Sequence, residues 1–207
     1  MQLCATRNIE NGAWVDSLAA QRWSIHDVII DDVDATKFAG SGNLFQLGTG
    51  FVNKTFNNIS INHITAFPDP NHGIISLGGA TTIPKAANMD FSNNLVMAGK
   101  YPVWSTGAAN GCAVSGNPLA SFNACWNGYT AGPNAVIGIN MSSTNANWPA
   151  GNMFPATWTA VQFANFNNAN GGDYTLLPSS PYKNAGSDGK DLGADVNAVN
   201  AATAGVR

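Results

Sequence analysis

Charge is scarce in this chain: Asp, Glu, Lys and Arg supply 10% of its 207 residues, against roughly 25% in an average soluble protein. The nine Lys and Arg form no run and the net charge is −3, so there is no basic patch to neutralise a row of phosphates, and nucleic acid is not an expected partner. No apolar stretch approaches the roughly 20 residues that cross a bilayer, so no membrane span is expected. The opening MQLCATRNIENG has neither the basic region nor the apolar core of a secretory leader. GxSxG, GxxxxGK(S/T) and HExxH are also missing, which removes the usual entry points to serine hydrolase, nucleotide-dependent and zinc-protease chemistry.

Cysteine is nearly absent. Cys4, Cys112 and Cys125 are an odd set without CxxC spacing. Either Cys112 and Cys125 close a loop around GCAVSGNPLASFNAC, or they are two buried thiols.

What the chain has in quantity is glycine, 22 residues of it, with abundant Asn, Ala, Thr and Ser. These give a surface that is polar yet uncharged. Between the Gly and Asn, short apolar segments recur in two alternating kinds. The first reads WSIHDV from Trp23, ISINHI from Ile59, MDFSNN from Met89 and ASFNAC from Ala120, which puts Ile25, Ile61, Phe91 and Phe122 in register. The second reads WVDSL from Trp14, LFQLG from Leu44, IISLG from Ile74, VWSTG from Val103 and VIGIN from Val136. Apolar residues two apart mark strands with one face turned inward. Two interleaved columns with a common period near thirty residues predict a stack of strands in which each unit buries its apolar face only on its neighbours. Asp27, His63 and Asn93 are expected to share a column of bends, where short polar side chains tolerate left-handed backbone.

The expected fold is therefore all-β: a right-handed parallel β-helix, or solenoid, with an irregular C-terminal cap. One domain is expected over 1–207, with rungs over about 9–144 and the cap over about 145–207. In the cap, ATWTAVQFANF is expected to form a helical turn, DYTLL an extended piece, and Leu192 and Val196 to return onto the stack.

Rungs such as NNISINHITAF followed by HGIISLGG, and the ending DYTLLPSSPYKNAGSDGKDLGAD, resemble the secreted bacterial right-handed β-helix proteins of the pectate-lyase-like superfamily. The chain is similar to the C-terminal part of a longer member. The resemblance implies an extracellular or cell-surface location and an association with polysaccharide, by binding or cleavage. It also implies an open N-terminal end through which copies would associate head to tail, and the alternative function is then a noncatalytic structural or surface module. Lyases on this fold combine Ca²⁺-holding carboxylates with a basic residue, and Arg7, Arg22 and Arg207 make no such set here.

Several clusters are candidates for chemistry. His63, Asp69 and His72 in NHITAFPDPNHG would supply an acid and base if the turn folds tightly, and Asp69 with Asp90 would supply the two carboxylates of a glycoside hydrolase. Asp31, Asp32 and Asp34 in HDVIIDDVDATK would line a cation or glycan site, with Trp126 and Tyr129 as stacking platforms. Asp188, Asp191 and Asp195 in SDGKDLGAD have the look of a Ca²⁺ loop, with Lys190 opposing a cation. No cofactor is required by these motifs, and Ca²⁺ is the ion the acidic groups would accept. Each cluster also has a plain structural reading as a solvated turn, a stacked histidine or a core aromatic.

Overall fold

A computed structural model of the chain describes residues 2–4, 7–10, 13–16, 21–48, 57–78, 85–106, 111–141 and 146–206. Strands dominate them. In chain order the elements are β1 (Gln2–Cys4), β2 (Arg7–Glu10), β3 (Ala13–Asp16), β4 (Gln21–Ile30), α1 (Ala35–Phe38), β5 (Phe45–Gly48), β6 (Asn57–Ala66), β7 (Ile75–Gly78), β8 (Ala86–Ser92), β9 (Asn94–Met97) and β10 (Val103–Thr106). They continue with α2 (Pro118–Cys125), β11 (Trp126–Thr130), β12 (Asn134–Ile137), β13 (Phe163–Asn165), β14 (Asp173–Leu176) and α3 (Val196–Thr203). The class is all-β, and no helix among the described residues is long and apolar enough to cross a membrane.

Two sheets are parallel throughout. One has the order β1-β5-β7-β10, with Phe45 opposite Ile75 and Ile75 opposite Val103. In the other, β4 pairs with the long β6, β6 pairs with both β8 and β9, and these pair with β11 and β12. Ile25 faces Ile61 and Ile61 faces Phe91. The alternation in NNISINHITA sends Ile59 and Ile61 into the core and Ser60 and Asn62 outward. Burying each such Ile or Phe is worth about 1.5–3 kcal/mol.

The left-handed bends along the paired strands also fall into columns. Arg22, Asn58, Asn88 and Gly128 have φ of 53°, 57°, 58° and 77°, and Asp27, His63 and Asn93 have φ of 52°, 50° and 59°. Asn and Asp bear left-handed backbone at low cost because their short side chains bond locally. Asn88 Nδ2 donates to Asn58 Oδ1 at 2.9 Å on the surface. A second Asn ladder is buried at Asn94 and Asn134. Asn94 Oδ1 accepts from Ile64 N, Asn94 Nδ2 donates to Ile61 O, and Asn94 N donates to Asn134 Oδ1, each at 2.9 Å. Asn134 Nδ2 continues it to Phe91 O and to Asn152 Oδ1.

The C-terminal segment covers the β12 edge: Met153 N donates to Asn134 O, Val136 N to Met153 O and Gly138 N to Pro155 O. A short 3-10 turn over Trp158–Val161 then leads into the antiparallel pair β13 and β14, whose Phe163, Phe166 and Tyr174 gather around Phe67. Leu192 and Val196 are buried in the same cluster.

Four expectations need correction. ASFNAC is helix α2, not a strand: Asn117 caps it through Ala120 N and Pro118 opens it, signals that outrank an apolar alternation only six residues long. The strand that pairs with β8 is β11, so Tyr129 lies opposite Met89 and Phe122 is out of register with Phe91. VIGIN enters the other sheet as β12, and Asn134 lies opposite Asn94. WVDSL is not in the second column either: its Ala13–Asp16 portion pairs antiparallel with β2, and β1 takes the place beside β5, so strand pairing begins ahead of residue 9. Leu18, Asn145 and Arg207 lie outside the described residues. Cys112 and Cys125 form a disulfide with Cα atoms 5.2 Å apart.

Candidate functional site

In a parallel stack the strand ends line up. Ile30 lies opposite Ala66 and Ala66 opposite Val96, so the loops leaving β4, β6, β9 and β12 emerge on one side. They form one wall of a groove of about 530 Å³, built from Asp32, Val33 and Asp34, then Phe67, Pro68 and Pro70, then Met97 and Gly99, then Ile137 and Gly138. The opposite wall is the C-terminal segment, through Trp158, Phe166 and Asn168–Asn170. Four strands about 4.8 Å apart give the groove a length of roughly 14 Å.

Trp158 stacks on Phe166, with ring centroids 4.6 Å apart and planes 17° from parallel, and remains 39% exposed. One indole face is thus fixed while the ring keeps area for a ligand. Asp32 Oδ2 pairs with Lys37 Nζ at 3.2 Å and Asp32 Oδ1 accepts from Asn170 Nδ2 at 3.3 Å. Asp34 caps α1: its Oδ1 accepts from Thr36 N at 2.9 Å and Lys37 N at 2.7 Å, and its Oδ2 takes no hydrogen bond among the described residues. Asp31 points the other way and anchors the far wall, accepting from Tyr174 OH at 2.7 Å and Gly171 N at 2.8 Å. Burial and the Asp31 carboxylate push the Tyr174 phenol up to about 12, so it stays a donor at any ordinary pH.

Asp69 supports the groove from beneath. It is 6% exposed and accepts from Ala35 N at 2.9 Å and Asn71 N at 2.8 Å, tying the loop that carries Asp34 to the loop after β6. His72 Nδ1 lies 3.1 Å from its Oδ1, off the line of a good hydrogen bond. The Ala35 and Asn71 amides hold the Asp69 carboxyl below its ordinary value, outweighing burial, and His72 adds to them. A glycosidase acid needs the opposite displacement.

The structure therefore joins Asp69 to His72 but sends the other catalytic candidates elsewhere. His63 is buried, with Nδ1 3.0 Å from Gly193 O and Nε2 3.1 Å from Asp188 Oδ2, where it fastens the C-terminal tail. Asp90 belongs to the outward strip of β6 and β8, accepting from Ser60, Asn62 and Ser92. With Tyr129 it borders a separate shallow depression, and the Tyr129 ring stacks on Phe122 and its hydroxyl donates to Asn123. Trp126 is 4% exposed and part of the core, so it offers no platform. The calcium-loop candidates are spent on other bonds. Asp188 faces His63 and Lys190 N, Asp191 pairs with Lys183 at 2.7 Å, and Asp195 caps α3 through Ala198 N. Among the described residues no group of three or more His, Cys, Asp or Glu could hold a metal ion.

Sequence reasoning found Asp32 and Asp34 and missed Trp158, Phe166, Asn168 and Asn170, which sit more than a hundred residues away. An Asn-flanked pair of aromatics just after the strand repeat fails is the signal that was available. No family model, no curated protein and no solved structure matches this chain.

Proposed function

We propose that this chain is a right-handed parallel β-helix protein resembling the pectate-lyase-like group, working outside the cell or at its surface, and that it binds a polysaccharide segment along the Trp158 groove. The parallel pairing at intervals near thirty residues and the columns of left-handed bends support the fold. The observation that carries the function is the groove itself. A half-exposed indole backed by Phe166 shares the groove lining with carboxylate and amide groups, along a channel long enough for a few linked rings. Binding is favoured over cleavage because the backbone donors to Asp69, whose neighbours Pro68 and Pro70 line the groove, hold its carboxyl below the ordinary value, the opposite of what a general acid needs.

A glycan array read with intact protein, followed by titration of the hits against Trp158→Ala, tests the reading. Loss of the stacking anchor should weaken binding about thirtyfold, equivalent to about 2 kcal/mol, with no release of reducing ends. Absence of binding to every polysaccharide, or an unchanged affinity in Trp158→Ala, refutes it.

A further inference from the structure

The groove's charge indicates what kind of sugar it takes. Among the described residues its lining includes two carboxylates, Asp32 and Asp34, and no Lys, Arg or His. Lys37 neutralises Asp32 from the side at 3.2 Å, and Asn170 occupies that carboxylate's remaining oxygen. Asp34 differs: it lines the groove, both of its hydrogen bonds fall on Oδ1, and its second oxygen has no hydrogen-bond partner among the described residues. The backbone donors to Oδ1 fix the carboxylate plane, and the Asp69 bond to Ala35 N fixes the loop that presents it. Asp34 is thus a held anion with one oxygen uncommitted, in a groove that also carries a stacking ring.

Resting on the polysaccharide reading above, we propose that the groove is specific for glycans carrying a protonated amino group, with Asp34 Oδ2 as its acceptor, and that it discriminates against uronates. A charge-assisted hydrogen bond to an ammonium is roughly twice as strong as a neutral one. A uronate carboxylate placed there would instead meet like charge with no cation in the lining to offset it. Asn168 and Asn170 supply neutral donors and acceptors for ring hydroxyls, and the Trp158 face takes the apolar side of the ring.

The test titrates the full chain with three soluble oligosaccharides of equal length: glucosamine, N-acetylglucosamine and galacturonate. Glucosamine oligomers should bind about tenfold more tightly than the acetylated ones, and galacturonate oligomers should not bind measurably. Asp34→Asn should remove the preference for the free amine, bringing the two hexosamine affinities together. Asp90→Asn, which deletes the same charge outside the groove, should leave the preference intact and so separates local recognition from attraction to a negatively charged protein. Equal affinity for the two hexosamines, a preference that survives Asp34→Asn, or tighter binding of galacturonate overturns the inference while the polysaccharide reading stands. Failure of all three to bind, together with a blank glycan array, overturns both.

Discussion

Replacing Asn94 by Ala offers a sharp test of how the strand stack is held. Asn94 is fully buried, and its side chain satisfies the amide of Ile64 and the carbonyl of Ile61, both at 2.9 Å. The truncation leaves one donor and one acceptor in the interior where no water reaches them. Each orphaned group costs about 1–3 kcal/mol, so two cost about 2–6 kcal/mol, with a small cavity added. A total stability of about 5–15 kcal/mol is ordinary for a chain of this kind, so a loss near 4 kcal/mol is a large part of the whole. Urea unfolding followed by circular dichroism should show it. With a slope of about 2 kcal/mol per molar, the midpoint falls by about 2 M. Asn88→Ala is the internal reference, because its bond to Asn58 lies on the surface, and its cost should stay below about 0.5 kcal/mol. If Asn94→Ala loses less than about 1 kcal/mol, or no more than Asn88→Ala, the buried ladder does not carry the register.

Other outcomes follow from the same geometry. Replacing Cys112 and Cys125 by Ser opens a loop with a sequence separation of 13. That should cost about 3 kcal/mol in the chain-entropy account, visible as a lowered Tm that dithiothreitol reproduces in the unmodified protein and does not deepen in the double variant. The carboxyls of Asp27, Asp69, Asp188 and Asp191 all lie below their ordinary value. Their stabilisation is present above the unfolded carboxylate pKa near about 3.9 and is lost as pH falls through the lower folded values. Tm should be flat near neutrality and drop on acidification below about pH 4, less steeply in Asp69→Asn, and an equally steep acid limb in that variant would count against the assignment. Gly73→Ala should be strongly destabilising, since a Cβ there collides with the Tyr101 carbonyl, whereas Gly189→Ser meets open space and is strained only by its φ of 81°. A Gly73→Ala protein with unchanged Tm would refute the close approach of those two segments.

The sequence was most informative where local chemistry and packing agree. Ile25, Ile61 and Phe91 are legible because inward positions must be apolar and their neighbours polar in every paired strand. Asp27, His63 and Asn93 are legible because few residue types accept left-handed backbone. Phe122 misled, since its segment shares the alternation while Asn117 and Pro118 specify a helix, and a pattern six residues long cannot separate the two. Val136 misled for a different reason: an apolar tetrad in a parallel stack carries no mark of which sheet it joins. The groove was half legible. Asp32 and Asp34 advertise themselves by density, but which carboxylate is left uncommitted depends on Lys37, Thr36 and Asn170, and Trp158 joins them through the docking of the C-terminal segment, by Tyr174 and Gly171 on Asp31 and Asn170 on Asp32.

The change of interval between β8 and β11 sets a rule for how such a molecule varies in length. Asn57 meets Ala87 thirty positions on, whereas Ala87 meets Asn127 forty positions on, and the ladder through Asn94 and Asn134 is unbroken across that longer step. The surplus includes the disulfide-tied helix α2, which lies outside the paired segments. Growth is therefore quantised in the strands and elastic between them. A foreign segment grafted at the α2 position would fall outside the facing pairs, while a single residue added inside β6 would invert the polarity of all that follows it in that strand.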